Sequence, residues 1–152
     1  MIRKALCFDD VLLVPEKTSV NSRSEIDLST TIAGLRAKYP IISANMSTVT
    51  EAWMGRFMLD FGGCAVLHRF CGPEVQAKMI KDAFDRQLTG NRPGLLGCSL
   101  GVDENLDRYS KSYEAGCRLF CIDVAHAHQQ KVRDFFERVY IQHRDTHFII
   151  GN

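Results

Sequence analysis

No stretch of this 152-residue sequence reaches the roughly 18 consecutive apolar residues that a membrane-spanning helix needs. The opening MIRKALCFDD has an apolar stretch too short, and too soon interrupted by charge, for a secretory signal. Surplus charge is missing as well. Nineteen basic side chains stand against eighteen acidic ones, a formal charge of +1, which removes the electrostatic reason to expect nucleic acid or an anionic membrane as partner. There is no C-x-x-C pair among the six cysteines at 7, 64, 71, 98, 117 and 121. Three of them (Cys64, Cys98, Cys121) lie in apolar, strand-like runs, and buried reduced thiols are the reading there rather than a metal or a disulfide. Neither G-x-G-x-x-G nor a P-loop occurs, so a Rossmann dinucleotide site and a nucleoside triphosphate site are not signalled. Repeats and low-complexity tracts are absent too. These gaps leave a cytoplasmic protein with a small-molecule ligand as the expectation, with no nucleic acid and no membrane.

What is there suits one globular unit: 45% hydrophobic residues supply a core, and 24% charged residues are an ordinary surface. Four apolar runs alternate with four amphipathic stretches. IISANM (41–46) follows Pro40, CAVLHRF (64–70) follows Gly62 and Gly63, LLGCSLGV (95–102) follows Pro93 and Gly94, and CRLFCIDVAHA (117–127) follows Gly116. Continuous apolar runs, rather than strict alternation, fit strands covered on both faces. Residues 50–61, 73–88, 103–115 and 128–143 carry helical periodicity, with Val132, Phe135, Phe136 and Val139 on one stripe. Pro73 suits a first turn, and Asp103 is placed to cap the third helix. Short βα connections imply right-handed βαβ units in a parallel α/β sheet, and HFIIGN (147–152) reads as a fifth strand. The first 39 residues read as a strand-like lead-in, LCFDDVLLVPEK, followed by an exposed polar loop.

Ligands of parallel α/β sheets meet the loops at the C-terminal strand ends, which here hold Asn45 to Thr48, His68 to Cys71, Gly101 to Asp103 and Asp123 to His128. Asp123 lies within an apolar run, so its carboxylate must find donors or a cation; a ribose diol, a carboxamide or a neighbouring protein group would each serve. His126 and His128 form an H-x-H step that, on a strand, places both rings on one face, as in some barrel metallohydrolases. Polar residues at an ordinary strand-to-helix turn explain the same step. Ser22 and Arg23 set a guanidinium beside hydroxyls, a phosphate receptor in form and equally a solvated loop. Arg69, directly after a strand, points to the ligand crevice.

Several ordered blocks together resemble the IMP dehydrogenase/GMP reductase family: FDDVLLVP (8–15), PIISANMSTVTE (40–51), GGCAVLHRF (62–70), CIDVAHAH (121–128) and FIIGN (148–152). The resemblance covers nearly the whole chain. It implies the N-terminal half of a TIM-type (β/α)8 barrel, about four βα units plus a fifth strand, as one domain over residues 1–152. Only about 25 residues separate Arg69 from Leu95, enough for one helix, so the paired regulatory modules usual in IMP dehydrogenases are absent. NSRSEIDLS (21–29) resembles the loop of the GMP reductase branch whose Ser-Arg pair contacts the 2′-phosphate of NADPH bound in a neighbouring subunit. By that resemblance Ser22 and Arg23 grip the phosphate, Arg69 lies near the cofactor, Asp123, Val124 and Ala125 touch its nicotinamide half, and Met46 approaches the purine nucleotide. Ala127, Gln129 and Ser47 depart from the family's glycine, serine and aspartate. A methyl group in place of a glycine's hydrogen crowds a close approach.

The resemblance further implies NADPH-dependent reductive deamination of GMP to IMP, through a thioimidate on a cysteine in a loop after the sixth strand. That loop also carries the potassium site, and neither is found in these 152 residues. The expectations are therefore no activity for the chain by itself, and assembly either with a C-terminal half or full-length relative, or as a homo-oligomer, a tetramer by family. An insert-lacking IMP dehydrogenase portion and a non-catalytic half-barrel that serves binding or assembly are the alternatives.

Overall fold

The computed structural model describes residues 4–85, 93–102 and 106–151. Two short strands come first, β1 (Thr30–Ile32) and β2 (Leu35–Ala37), paired antiparallel. The chain then alternates as β3 (Ile42–Ser43), α1 (Ala52–Phe61), β4 (Cys64–Leu67), α2 (Pro73–Asp85), β5 (Leu95–Leu100), α3 (Asp107–Glu114), β6 (Leu119–Asp123), α4 (Gln130–Gln142) and β7 (His147–Gly151). Strands β3 to β7 form one parallel sheet in sequence order. That order, with a helix in every crossover, is the half-barrel expected from the alternation of apolar runs.

Local chemistry sets the element ends. Gly62 ends α1 in the left-handed region (φ 103°), where its N–H reaches Met58 O at 3.0 Å and a side chain would be strained. Pro73 occupies the first position of α2, where its missing N–H costs no helical bond. The proposed Asp103 cap lies outside the described residues, and α3 begins at Asp107 without a side-chain cap.

Strand alternation divides the core in two. Ala65, Leu67, Leu96, Cys98, Leu100, Phe120 and Ile122 pack with helix residues such as Met58, Ile80, Tyr109 and Val139. The intervening Cys64, Val66 and Leu119 form a second cluster with Leu95, Cys121 and Ile149, covered by Ile32, Ala33 and Leu35 of the β1–β2 hairpin. The hairpin therefore floors the concave side of the sheet, and His147 Nδ1 lies 2.7 Å from Ala33 O to tie it to β7. Each fully buried large apolar side chain, such as Phe120, contributes about 1.5–3 kcal/mol.

Three expectations need correction. The stretch LCFDDVLLVP is not a strand: it holds a 3-10 turn at Phe8–Asp10, and Leu12 and Leu13 are 95% and 98% exposed. A strand persists only where neighbours take up its backbone bonds, and among the described residues none lies beside this segment. The hairpin within the first 39 residues was not foreseen. Finally, β6 stops at Asp123, so His126 and His128 lie in an exposed loop and the same-face geometry of a strand does not apply to them. Among the described residues, no helix is long and apolar enough to cross a membrane.

Candidate ligand crevice at the strand ends

Alternation along β6 places Asp123 on the same side as Leu119 and Cys121, the concave one. Its carboxylate Oδ2 lies 3.6 Å from Arg69 Nε, with the two side chains 19% and 30% exposed. The charge that the apolar run made costly is thus met by a guanidinium arriving from the end of β4. Arg69 also lies over the Phe70 ring at 5.4 Å. On the neighbouring side, Asn45 Nδ2 donates to Ser99 Oγ at 2.8 Å, passing across β4 from the end of β3 to β5. Only a curled sheet brings those two together, so the contact marks the upper layer of the concave interior as polar.

The β3–α1 turn is built on backbone bonds. Met46 O accepts from the amides of Val49 and Thr50 at 3.0 and 2.9 Å, and the buried Thr50 hydroxyl is 2.5 Å from Ala44 O and 2.9 Å from Ser43 Oγ. The turn leaves the Met46 side chain half-exposed at the rim. His68 is buried. Its Nδ1 accepts from the Phe70 amide at 3.1 Å, which places the ring proton on Nε2; that atom has no hydrogen-bond partner among the described residues and stands 3.8 Å from Glu51 Oε1. Val124 N donates to Gly151 O at 3.0 Å, carrying the β6–β7 ladder past Asp123 and leaving Ala125 exposed at the mouth.

Asp123, Arg69, Val124 and Ala125 are therefore grouped at one end of the sheet, with Met46 on the β3 side of the rim. Ser22 and Arg23 are not brought there. They belong to an exposed arm, where Ser22 Oγ accepts from Ser24 N at 3.3 Å at the head of a 3-10 turn over Arg23–Glu25. Among the described residues neither makes a hydrogen bond or ion pair with the strand-end group.

Three of the cysteines are held as quiet, protonated thiols. Burial pushes the Cys64 thiol up to about 12 and that of Cys121 up to about 11, and it holds Cys98 well above the ordinary thiol range. All six cysteines are free; Cys64, Cys98 and Cys117 are buried, and Cys121 is half-buried on the concave side. Sequence reasoning missed Gln76 and Arg108, both buried behind the crevice. The trace was legible for Gln76: it takes the first place in an i, i+3, i+4, i+7 stripe completed by Met79, Ile80 and Ala83.

A curled sheet of five parallel strands with four helices, its polar side chains gathered at the strand ends, defines the N-terminal half of a TIM-type barrel. The model of the IMP dehydrogenase / GMP reductase domain matches residues 5–152, and the chain belongs to that family. It is 32% identical to a GMP reductase of Helicobacter pylori (strain J99) over 98% of its own length and 45% of the relative's. Against a GMP reductase of Bacillus subtilis (strain 168) it is 32% identical over 95% of its length and 43% of the relative's. A GMP reductase of Shouchella clausii is 27% identical over 100% of this chain and 45% of its own. The chain spans about half the length of these relatives and corresponds to the N-terminal portion of a GMP reductase-like protein.

Proposed function

We propose that this chain supplies the cofactor-binding wall of an NADPH-dependent GMP reductase, completed by a C-terminal half that brings the nucleophilic thiol and the potassium site. The observation that carries the reading is the Asp123–Arg69 pair at the end of β6, within a chain whose relatives are named GMP reductases. NADPH supplies hydride when bound. Asp123 offers acceptors for a ribose diol or carboxamide N–H groups, and Arg69 offers a cation for the adjoining phosphate-bearing part. Val124 and Ala125 form the wall for the nicotinamide half, and Met46 borders the purine nucleotide. Ser22 and Arg23, exposed on their arm, are free to reach a neighbouring subunit, where the guanidinium and hydroxyl grip the 2′-phosphate. That arrangement needs a homo-oligomer, a tetramer by family.

The test is the cofactor preference of the completed barrel. Bonds to a charged group contribute roughly 1.5–3 kcal/mol, so Arg23→Ala should raise the KM for NADPH about tenfold or more. KM for NADH, which lacks the 2′-phosphate, should stay nearly constant. An equal response to both cofactors would show Arg23 to be a solvated loop residue and would remove the case for NADPH.

A further inference from the structure

Behind the crevice, on the helix side of the sheet, lies a polar cluster for which the proposed chemistry has so far no use. Gln76 of α2 is fully buried, and its Nε2 donates to His68 O at 2.9 Å and to Ser99 O at 3.0 Å. The last registered pair between β4 and β5 is Leu67 with Cys98, so both carbonyls sit one residue beyond the point where the ladder stops. One side-chain amide thus replaces backbone pairing where the strands part. Gln76 Oε1 in turn accepts from Arg108 Nη1 at 3.2 Å and from Ser112 Oγ at 3.4 Å, both on α3. Arg108, 7% exposed, sends its Nη2 to Cys71 O at 2.8 Å.

The four residues from His68 to Cys71 form the turn that carries Arg69 and Phe70, and the cluster holds that turn at both ends. Planar amide and guanidinium groups donate only in fixed directions, so they set positions rather than merely fill space. Buried donors and acceptors left without partners are costly, which keeps the arrangement from relaxing. We infer that Gln76 and Arg108 are positioning residues of the crevice: without facing it, they fix the β4–α2 turn and thereby the place of Arg69 against Asp123. The part of this inference that concerns cofactor rests on the NADPH reading; the part that concerns the turn does not.

The experiment compares the full chain with Gln76→Glu and Arg108→Lys. Glutamate keeps the size and the acceptor for Arg108 but loses both donations, while lysine keeps the charge and reaches one acceptor instead of two. Hydrogen exchange read amide by amide reports the turn directly, since the Phe70 N–H is bonded to His68 Nδ1. NADPH titration of the barrel completed by a C-terminal half reports the crevice. In Gln76→Glu, protection at Phe70 should fall by about tenfold or more while Phe120 to Ile122 of β6 keep theirs, and NADPH should bind about tenfold more weakly. Arg108→Lys should fall between that variant and wild type. A uniform loss of protection, with β6 loosened as much as the turn, would overturn the inference and leave the cluster as helix-to-sheet packing; unchanged exchange at Phe70 would overturn it too. If the turn loosens selectively but the completed wild-type barrel shows no NADPH binding, the positioning of the turn stands and the NADPH reading fails. Selective loosening with unaltered NADPH affinity would overturn the link from turn to cofactor.

Discussion

At the scale of single residues, the burial of the thiols has a measurable consequence. Cys7 is exposed, whereas Cys64, Cys98 and Cys117 are buried and the pKa values of Cys64, Cys98 and Cys121 are raised by burial. Since the thiolate is the nucleophile, iodoacetamide at neutral pH should label Cys7 quickly, Cys71 more slowly, and the buried three only on unfolding; peptide mapping by mass spectrometry reads this. Stability should follow the same groups. Unfolded thiols lose protons near 9.0, while Cys64 and Cys121 keep theirs in the folded chain to about 12 and about 11. With the folded pKa raised, stability is intact below about pH 9 and falls as pH climbs from there toward 11 to 12. Melts of wild type should drop more steeply over that window than melts of the Cys64→Ala/Cys121→Ala variant; parallel slopes would show that these thiols are not the cause. Asp123 was legible from sequence because a carboxylate in an apolar run is conspicuous. Its partner Arg69 was legible only as a strand-end cation. For Gln76 the helical stripe could announce burial, but not its partnership with Arg108 and with carbonyls that come from the ends of β4 and β5.

At the scale of elements, the five parallel strands and four helices could be read from apolar runs bounded by glycine and proline, since those residues act locally. The hairpin could not. Its two-residue turn, Ala33 and Gly34, has φ of 49° and 82°, a geometry usually announced by Asn-Gly or Asp-Gly, and alanine there gives no warning. Its strands of three residues each are too short for periodicity and are held by the floor of the sheet: Ile32, Ala33 and Leu35 pack on Cys64, Val66 and Leu119. Gly94, by contrast, was visible as a strand-opening turn, and the structure shows a stricter need. A Cβ there would come within 2.2 Å of Met58 O and 2.8 Å of both Leu59 O and Gly63 O, all backbone atoms. The α1–β4 corner cannot yield without moving the sheet, so Gly94→Ala should destabilise the chain by about 3 kcal/mol, the upper end for overpacking. Chemical denaturation measures this, and a change under about 0.5 kcal/mol, the ordinary size for a surface site, would contradict the close approach.

At the scale of the whole molecule, the sheet presents two open margins. At one, Ile41 and Ile42 of the β3 side are half-exposed, and Trp53, Phe57 and Phe61 of α1 are exposed as well; at the other, Ile150 of β7 and Ile141 and Tyr140 of α4 are exposed. Parallel sheets are stable when covered on both faces and closed or capped at their edges. These margins suit the remaining strands and helices of a barrel, and the chain spans only about half the length of its relatives. The most direct measurement joins this chain to the C-terminal half of one of the 32%-identical relatives by co-expression, and follows NADPH absorbance on addition of GMP. The two halves should co-purify, consume NADPH only when GMP is present, and release ammonia and IMP in equal amounts, while the chain alone shows no turnover. GMP-dependent turnover by the chain alone, or a co-purified, folded pair that leaves NADPH untouched, would contradict the proposed role as the cofactor wall of a GMP reductase.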